Sequence, residues 1–266
     1  MSKLSNAFHE IQTIDNMARR NQWVNRIHPL VKLCITIFYM FMVVSYDKYN
    51  LTGLLGMFVY PLFLFELAEI SFKDAFYKLR IVLPLVCAVG IFNPIFDRKP
   101  IAMLFGITVT SGMFSMCTLM LKGIFTVLSS YLLIATTTIE ELCYALRLIR
   151  LPKLFVTQIL LTYRYISVLL SEANRITQAY SLRAPKQKGI QFKVWGSLSG
   201  QMLLRSMDRA NELYQSMCLR GYTGEFYYGK SIRLLPSHIL YLITWLTILS
   251  IFRIFPIFEI VGKIIV

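Results

Sequence analysis

Long apolar runs alternate with short polar segments along the first half of the chain. The runs cover residues 33–46, 51–65, 81–96 and 112–136. A helix of roughly 20 mostly apolar residues is long enough to cross a bilayer. The pattern therefore predicts four membrane spans before residue 137 and a final span near residues 237–255. We expect an all-α, polytopic membrane protein with about five transmembrane helices.

Two features interrupt this regular pattern. The stretch IAMLFGITVTS mixes β-branched residues around Gly106, which favours a small extended or hairpin segment. The fourth run contains Lys122, and a charge in the middle of a span costs about 2.5–3.5 kcal/mol on insertion scales. We expect this lysine either to snorkel to the interface or to face the interior of the helix bundle.

The second half of the chain predicts more polar helices. The stretch TTTIEELCYALRLIRLP predicts a short amphipathic helix at the inner interface, with Leu142, Ala145, Leu146 and Ile149 on one face. No glycine or proline occurs from Lys153 to Arg183, a helix of about 46 Å at 1.5 Å per residue. Its first half is apolar and its second half is polar, so we expect only the first half to lie in the membrane. Helical periodicity resumes over Ile190–Gly221.

This last stretch carries an apolar stripe on one side and charges on the other. The stripe consists of Val194, Leu198, Met202, Leu203, Met207, Ala210, Tyr214 and Met217. The opposite face carries Arg205, Asp208, Arg209 and Glu212. Apolar positions at spacings of three and four predict a packing seam, so we expect this helix to lie outside the lipid and to contact other helices.

These elements predict four parts of the chain. They are a cytoplasmic N-terminal segment (1–29), a four-span bundle (30–136), interfacial and cytoplasmic helices that include one membrane-embedded half-helix (137–233), and a C-terminal span with its tail (234–266).

Composition agrees with a membrane protein. Hydrophobic residues make up 56% of the 266 and charged residues 16%, against about 45–50% and 25% in soluble domains. Residues 140–233 hold 14 Lys and Arg and six Asp and Glu, so they carry +8 of the net +14. Such a block suits nucleic acid, lipid headgroups or an acidic protein, and the flanking spans favour the cytoplasmic membrane face over nucleic acid.

Two smaller basic groups support this orientation. Arg19, Arg20 and Arg26 precede the first run, and Lys73, Lys78 and Arg80 follow the second. Since positive residues concentrate in cytoplasmic loops, we expect a multi-pass protein of the cell membrane with its N-terminus in the cytoplasm.

The chain offers little catalytic or cofactor chemistry. Its five cysteines are scattered and its three histidines are isolated, so we expect no metal site and no cofactor in this chain. The stretch GEFYYGKS at 224–231 matches a phosphate-loop pattern, but it lacks the preceding strand and following helix that such a loop needs. The sequence lacks the acid–base or nucleophile constellation that would predict an enzyme. It also lacks the repeated halves that would predict a secondary transporter.

Three arginines are candidate functional residues. Arg183 and Arg220 each end a predicted helix, after Leu182 and Leu219, and Gly221 stops the second helix. A cation at a helix C-terminus gains about 0.3–1 kcal/mol, which explains either arginine alone. Two such ends in one basic region favour a docking surface for carboxylates, which the planar guanidinium binds well.

Arg164, which lies between two tyrosines, is the interior charge of its helix. Two interpretations are open. It is either a structural charge bound by carbonyls or tyrosine hydroxyls at a bundle interface, or a gating residue.

The stretches IDNMARRNQWVNRIHPLVKL, TTTIEELCYALRLIRLP and LLTYRYISVLLSEANRI, together with the two arginine ends, resemble the transmembrane T component of energy-coupling factor transporters, most closely the cobalt type. The resemblance covers nearly the whole chain. It implies two long cytoplasmic coupling helices, each ending in a motif around Ala-Arg-Gly whose arginine docks on one ATPase subunit. Here the motifs are Leu182-Arg183-Ala184 and Leu219-Arg220-Gly221, and the first lacks the family glycine.

The resemblance also implies the partners. They are two ATP-binding cassette ATPase subunits, which hydrolyse ATP, and a separate substrate-binding membrane subunit, all in the lipid bilayer. This chain would be a non-catalytic coupling subunit. IDNMARRN favours cobalt or nickel uptake, and a T component shared among vitamin transporters is the nearest alternative.

Overall fold

The computed structural model describes residues 13, 15–48, 50–71, 75, 80, 83–84, 86–96, 100–104, 107–185, 187, 189–224 and 234–254. Several predictions lie outside these residues. They concern Lys73 and Lys78, the tail after residue 254, and positions 225–231 of the phosphate-loop-like stretch.

The described part of the chain is helical apart from one short hairpin, which confirms the all-α prediction. The elements are α1 (Pro29–Val44), α2 (Leu51–Gly56), α3 (Val59–Leu67), α4 (Phe92–Phe96), β1 (Pro100–Leu104), β2 (Ile107–Thr110), α5 (Ser111–Thr136), α6 (Ile139–Leu148), α7 (Lys153–Arg183), α8 (Phe192–Leu219) and α9 (Pro236–Ile254). Strands β1 and β2 pair antiparallel, with Leu104 opposite Ile107, so the predicted hairpin is confirmed.

Three described helices are long and apolar enough to cross a membrane, namely α5, α7 and α9. Helix α1 and the stretch Leu51–Leu67 are apolar but shorter. Length and apolar character thus identify a membrane protein.

The second predicted span is divided into α2 and α3. Pro61 has no backbone N–H, so the carbonyl of Met57, four residues earlier, has no helical donor. The hydroxyl of Tyr39 donates to this carbonyl instead, at 3.0 Å. Apolarity alone predicted one helix here, and the proline accounts for the break.

Contacts between Cα atoms divide the chain into two units. We call residues 17–138 and 232–266 the bundle unit, and residues 1–16 and 139–231 the long-helix unit. Each is described by itself below.

The bundle unit has one hydrophobic core. Helix α1 packs against α5 and α9, and its Tyr39 is fully buried. The Tyr39 and Tyr60 rings lie 4.6 Å apart, and Trp245 of α9 meets Tyr60 edge to face at 5.0 Å. Edge-to-face pairs of this kind add about 0.5–1.5 kcal/mol beyond the area that they bury. Aromatic contacts therefore join three helices of the unit.

Lysines join the antiparallel helices α1 and α5 reciprocally. Lys32 of α1 is buried and donates to the carbonyl of Thr136, the last residue of α5, at 2.7 Å. Lys122 of α5 donates to the carbonyl of Val44, the last residue of α1, at 3.0 Å, and also to the Tyr46 carbonyl. The last four carbonyls of a helix lack intrahelical donors, and lysine side chains can supply them. Lys122 therefore has its partners inside the bundle. This agrees with the expectation that it faces the interior of the helix bundle, and not with the expectation that it snorkels to the interface.

A second cation reaches the same end of α1. Arg253 of α9 donates to the Ser45 carbonyl at 2.9 Å, and its guanidinium lies 4.2 Å from the centre of the Tyr46 ring. The Tyr46 hydroxyl returns a hydrogen bond to the Phe252 carbonyl at 3.1 Å. The C-terminus of α1 is thus held by both neighbouring helices.

The long-helix unit has a much smaller core. Cys143 of α6 packs against Val156 and Leu160 of α7, with Ile139 and Leu146 at the edge. Burial and the neighbouring Glu140 carboxylate raise the pKa of the Cys143 thiol to about 11. Helix α6 ends at Leu148, and Arg150 in the following turn adopts a left-handed φ of 67°.

Candidate functional site

The ends of α7 and α8 are the candidate functional site. Helix α7 covers Lys153–Arg183, the stretch that the absence of glycine and proline predicted. The backbone N–H of Ala184 closes the last turn on the Tyr180 carbonyl at 3.0 Å. The Tyr180 hydroxyl and the Gln187 side chain form a 2.7 Å hydrogen bond, which ties the following loop to the helix. Arg183 is therefore the last helical residue of a well-defined end.

Helix α8 ends in a Schellman motif around Gly221. The Gly221 N–H donates to the Cys218 carbonyl at 2.9 Å, and the Tyr222 N–H donates to the Met217 carbonyl at 3.0 Å. Gly221 adopts φ 80°, a left-handed conformation that favours glycine. The predicted stop at Gly221 is confirmed, and it places Arg220 in the capping position directly after α8.

Both ends present an arginine beside an exposed leucine. Leu182 is 82% exposed and Leu219 is 90% exposed. Arg183 and Arg220 are exposed as well. Neither guanidinium forms an ion pair or side-chain hydrogen bond with any described residue. Each end thus exposes a cation and an apolar side chain.

The predicted packing seam of α8 is confirmed only in part. Val194, Leu198, Met202 and Met217 are partly covered, whereas Leu203, Met207 and Tyr214 are 61%, 56% and 61% exposed. The covered side turns toward the predicted charged face, since Met202, Arg205, Ser206 and Arg209 line a cleft with α7. The spacing of apolar residues identified a stripe on α8, but it could not identify which helix packs against α8. That helix is α7, and it meets α8 across a cleft lined by polar and charged residues.

The predicted face of α6 is confirmed in part. Of its four residues, Ala145 is fully buried and Leu146 packs at the edge of the core, whereas Ile149 is 48% exposed. The core also contains Cys143, with Ile139 at its edge, and the predicted face included neither of these residues.

Arg164 lies near the middle of α7 and is exposed. Its guanidinium contacts no described carbonyl or tyrosine hydroxyl through a hydrogen bond. Its two interpretations, a structural charge and a gating residue, stay predictions.

One pair at this site has no signal in the sequence. Arg205 of α8 binds the carboxylate of Glu172 of α7, and Arg175 lies 3.9 Å from the same carboxylate. The partners are 33 residues apart. Charge periodicity placed Arg205 on a polar face, but only the packing of the two helices identifies its partner.

Among the described residues, no group of three or more His, Cys, Asp and Glu side chains is placed to hold a metal ion.

The comparison with protein families matches residues 20–228 to the model of CbiQ, cobalt transport protein. The chain belongs to the CbiQ family of cobalt transport proteins. The match includes both arginine ends and helices α1 to α8. This is a family of transport components, in agreement with the apolar helices. Among curated proteins, no sequence matches the chain.

Proposed function

We propose that this chain is the transmembrane coupling subunit of an energy-coupling factor importer, and that Arg183 and Arg220 each bind one of two ATP-binding cassette ATPase subunits. The observation that carries the proposal is the shared design of the two helix ends. Each is an exposed arginine beside a leucine that is at least 82% exposed, at the end of a long helix.

The chemistry of these ends suits acidic grooves. A guanidinium binds a carboxylate through two parallel hydrogen bonds, and the contact strengthens when water is excluded. The neighbouring leucine excludes water as it is buried on docking. Arg183 and Arg220 would thus act as charged anchors, with Leu182 and Leu219 as their apolar rims.

The transport cycle follows from this arrangement. ATP binding closes the two ATPase subunits, and this closure displaces the ends of α7 and α8. Both helices are continuous, with 31 and 28 residues, so they transmit a displacement along their length. A separate membrane subunit binds the substrate and releases it when the coupling helices move. ATP hydrolysis belongs to the ATPases.

The substrate that the family supports is cobalt, and nickel is the related alternative from the N-terminal motif. The substrate-binding subunit holds the metal, and this chain transmits motion. In this arrangement the N-terminus and both arginine ends lie on the cytoplasmic side of a multi-pass membrane protein.

The test is charge reversal at both ends. We expect Arg183→Glu with Arg220→Glu to yield a folded, membrane-inserted chain that retains neither ATPase, because each anchor then repels its acidic groove. The measurement is co-purification of both ATPases with the tagged chain from detergent-solubilised membranes.

Arg209→Glu is the matched control. Arg209 is an exposed arginine of α8 away from the helix end, so this variant makes the charge reversal of one end without touching either end, and it should retain both ATPases. Normal co-purification by the double variant would overturn the docking roles. Loss of both ATPases by Arg209→Glu would show a general charge effect and would also overturn them.

A further inference from the structure

A polar cleft of about 350 Å³ separates the middle parts of α7 and α8. Charged residues of both helices line it, including Glu172, Arg205, Asp208 and Glu212. The Glu172–Arg205 ion pair crosses this cleft, and the Glu172 side chain is only 21% exposed. Since α8 has no fully buried residue, apolar packing does little to fix its position against α7.

The pair lies well back from the two arginine ends. Along α7, Arg183 follows Glu172 by about 16 Å, and along α8 Arg220 follows Arg205 by about 22 Å, at 1.5 Å per residue. A small change of angle at the pair therefore produces a larger displacement at both ends.

We propose that the Glu172–Arg205 ion pair is a positioning contact that fixes the crossing of α7 and α8, so that a displacement of one arginine end is transmitted to the other. The claim that the pair fixes the crossing of the two helices stands by itself. The claim that it transmits a displacement, the transmission step, rests on the proposed function of the two ends.

Electrostatics explains why this contact positions more than it stabilises. Ion pairs that are open to water contribute little to folding, and the Arg205 side chain is 60% exposed, so the loss of this pair should leave the chain folded. One guanidinium nitrogen of Arg205 donates to one carboxylate oxygen of Glu172, and this charge-assisted hydrogen bond still limits how far the two helices can move apart at the cleft. Arg175, at 3.9 Å from Glu172, holds the same carboxylate from within α7.

The first experiment needs no partner. The sample is the full chain in nanodiscs, with the five native cysteines replaced. Spin labels are attached at Ser181→Cys and Ser216→Cys, two exposed positions close to the arginine ends. They report the distance between the two ends. We expect a narrow distance distribution for the parent chain and a broad or shifted one for Arg205→Glu and for Glu172→Arg. The neutral Arg205→Gln should broaden it as well.

The exchanged pair and a matched control decide the result. Glu172→Arg with Arg205→Glu restores opposite charges and should recover most of the narrow distribution, although Arg175 then lies beside a like charge. Arg209→Glu changes the same charge in the same cleft without breaking the pair, and should leave the distribution unchanged. Parent-like distributions for Arg205→Glu and Arg205→Gln, or an exchanged pair as broad as the single variants, would overturn the proposal.

The second experiment measures transmission in the assembled transporter. We expect Arg205→Glu to retain both ATPases but to lower the amount of substrate transported per ATP hydrolysed by about two- to thirtyfold, the range that mutations in coupling networks produce. The exchanged pair should recover this ratio. An unchanged ratio would overturn the transmission step. If instead the arginine ends bind no ATPase, the charge-reversal variant will co-purify with both ATPases as the parent chain does, and the proposed function is overturned. The distance distributions still test whether the ion pair fixes the crossing of α7 and α8.

Discussion

In the bundle unit, α1, α5 and α9 share one core of fully buried side chains, whereas α8 in the long-helix unit buries none. The buried core of the long-helix unit consists of Cys143, Val156 and Leu160 at the junction of α6 and α7. A helix with few buried contacts opens locally at a low free-energy cost. The difference indicates that the bundle is held by its own packing, while the long helices are held by a small core and a few polar contacts.

The largest effect should come from removing a core leucine. Leu132 of α5 is 1% exposed, and Leu132→Ala should lower the free energy of unfolding by about 2–5 kcal/mol, because it leaves a cavity. Leu203 of α8 is 61% exposed, and Leu203→Ala should change the free energy of unfolding by no more than about 0.5 kcal/mol. Reversible unfolding in mixed micelles measures both. Equal losses would show that α8 is packed as tightly as the bundle, against this comparison.

A smaller loss should follow from removing a reciprocal lysine. Lys122→Met deletes the two hydrogen bonds that the ammonium group donates near the end of α1, and it should lower the free energy of unfolding by about 1.5–3 kcal/mol, the scale of one hydrogen bond to a charged group, because both bonds come from the same ammonium group. The matched control is Lys193→Met in α8, where the lysine is exposed. The same unfolding measurement applies. A Lys122→Met variant as stable as Lys193→Met would mean that the carbonyls of α1 find other donors at no cost.

The smallest effect concerns the end of α8. Gly221→Ala places a side chain at positive φ, which costs roughly 1–2 kcal/mol, so the last turn should fray. Hydrogen exchange at the Tyr222 amide should then speed up about tenfold, as 1.4 kcal/mol implies. Gly196→Ala is the control in the same helix, because an added Cβ meets nothing within 4 Å and alanine favours helix. Slower exchange at Tyr222 in Gly221→Ala would contradict the Schellman assignment.

Local features were predictable from the sequence. An uninterrupted helix from Lys153 to Arg183, a stop at Gly221 and a hairpin around Gly106 each depend on neighbouring residues alone. Their physical causes are the presence or absence of proline, glycine and β-branched residues, which act over a few positions.

Features that depend on distant partners were not predictable. The contacts of Lys122 with the end of α1 and of Arg205 with Glu172 join residues far apart in the chain. The exposed stripe at Leu203, Met207 and Tyr214 shows the same limit. Periodicity indicates which residues share a face of a helix, but the neighbouring element decides which face is covered.

The most direct measurement of the central claim is site-specific photo-crosslinking in the assembled transporter. A photoreactive residue at position 182 or 219 replaces a leucine that is 82% or 90% exposed beside its arginine, and a control at position 203 replaces a leucine that is 61% exposed in the middle of α8. We predict that positions 182 and 219 each crosslink to an ATPase subunit and that position 203 does not. Crosslinks to neither ATPase from 182 and 219, or equal crosslinking from position 203, would contradict the account.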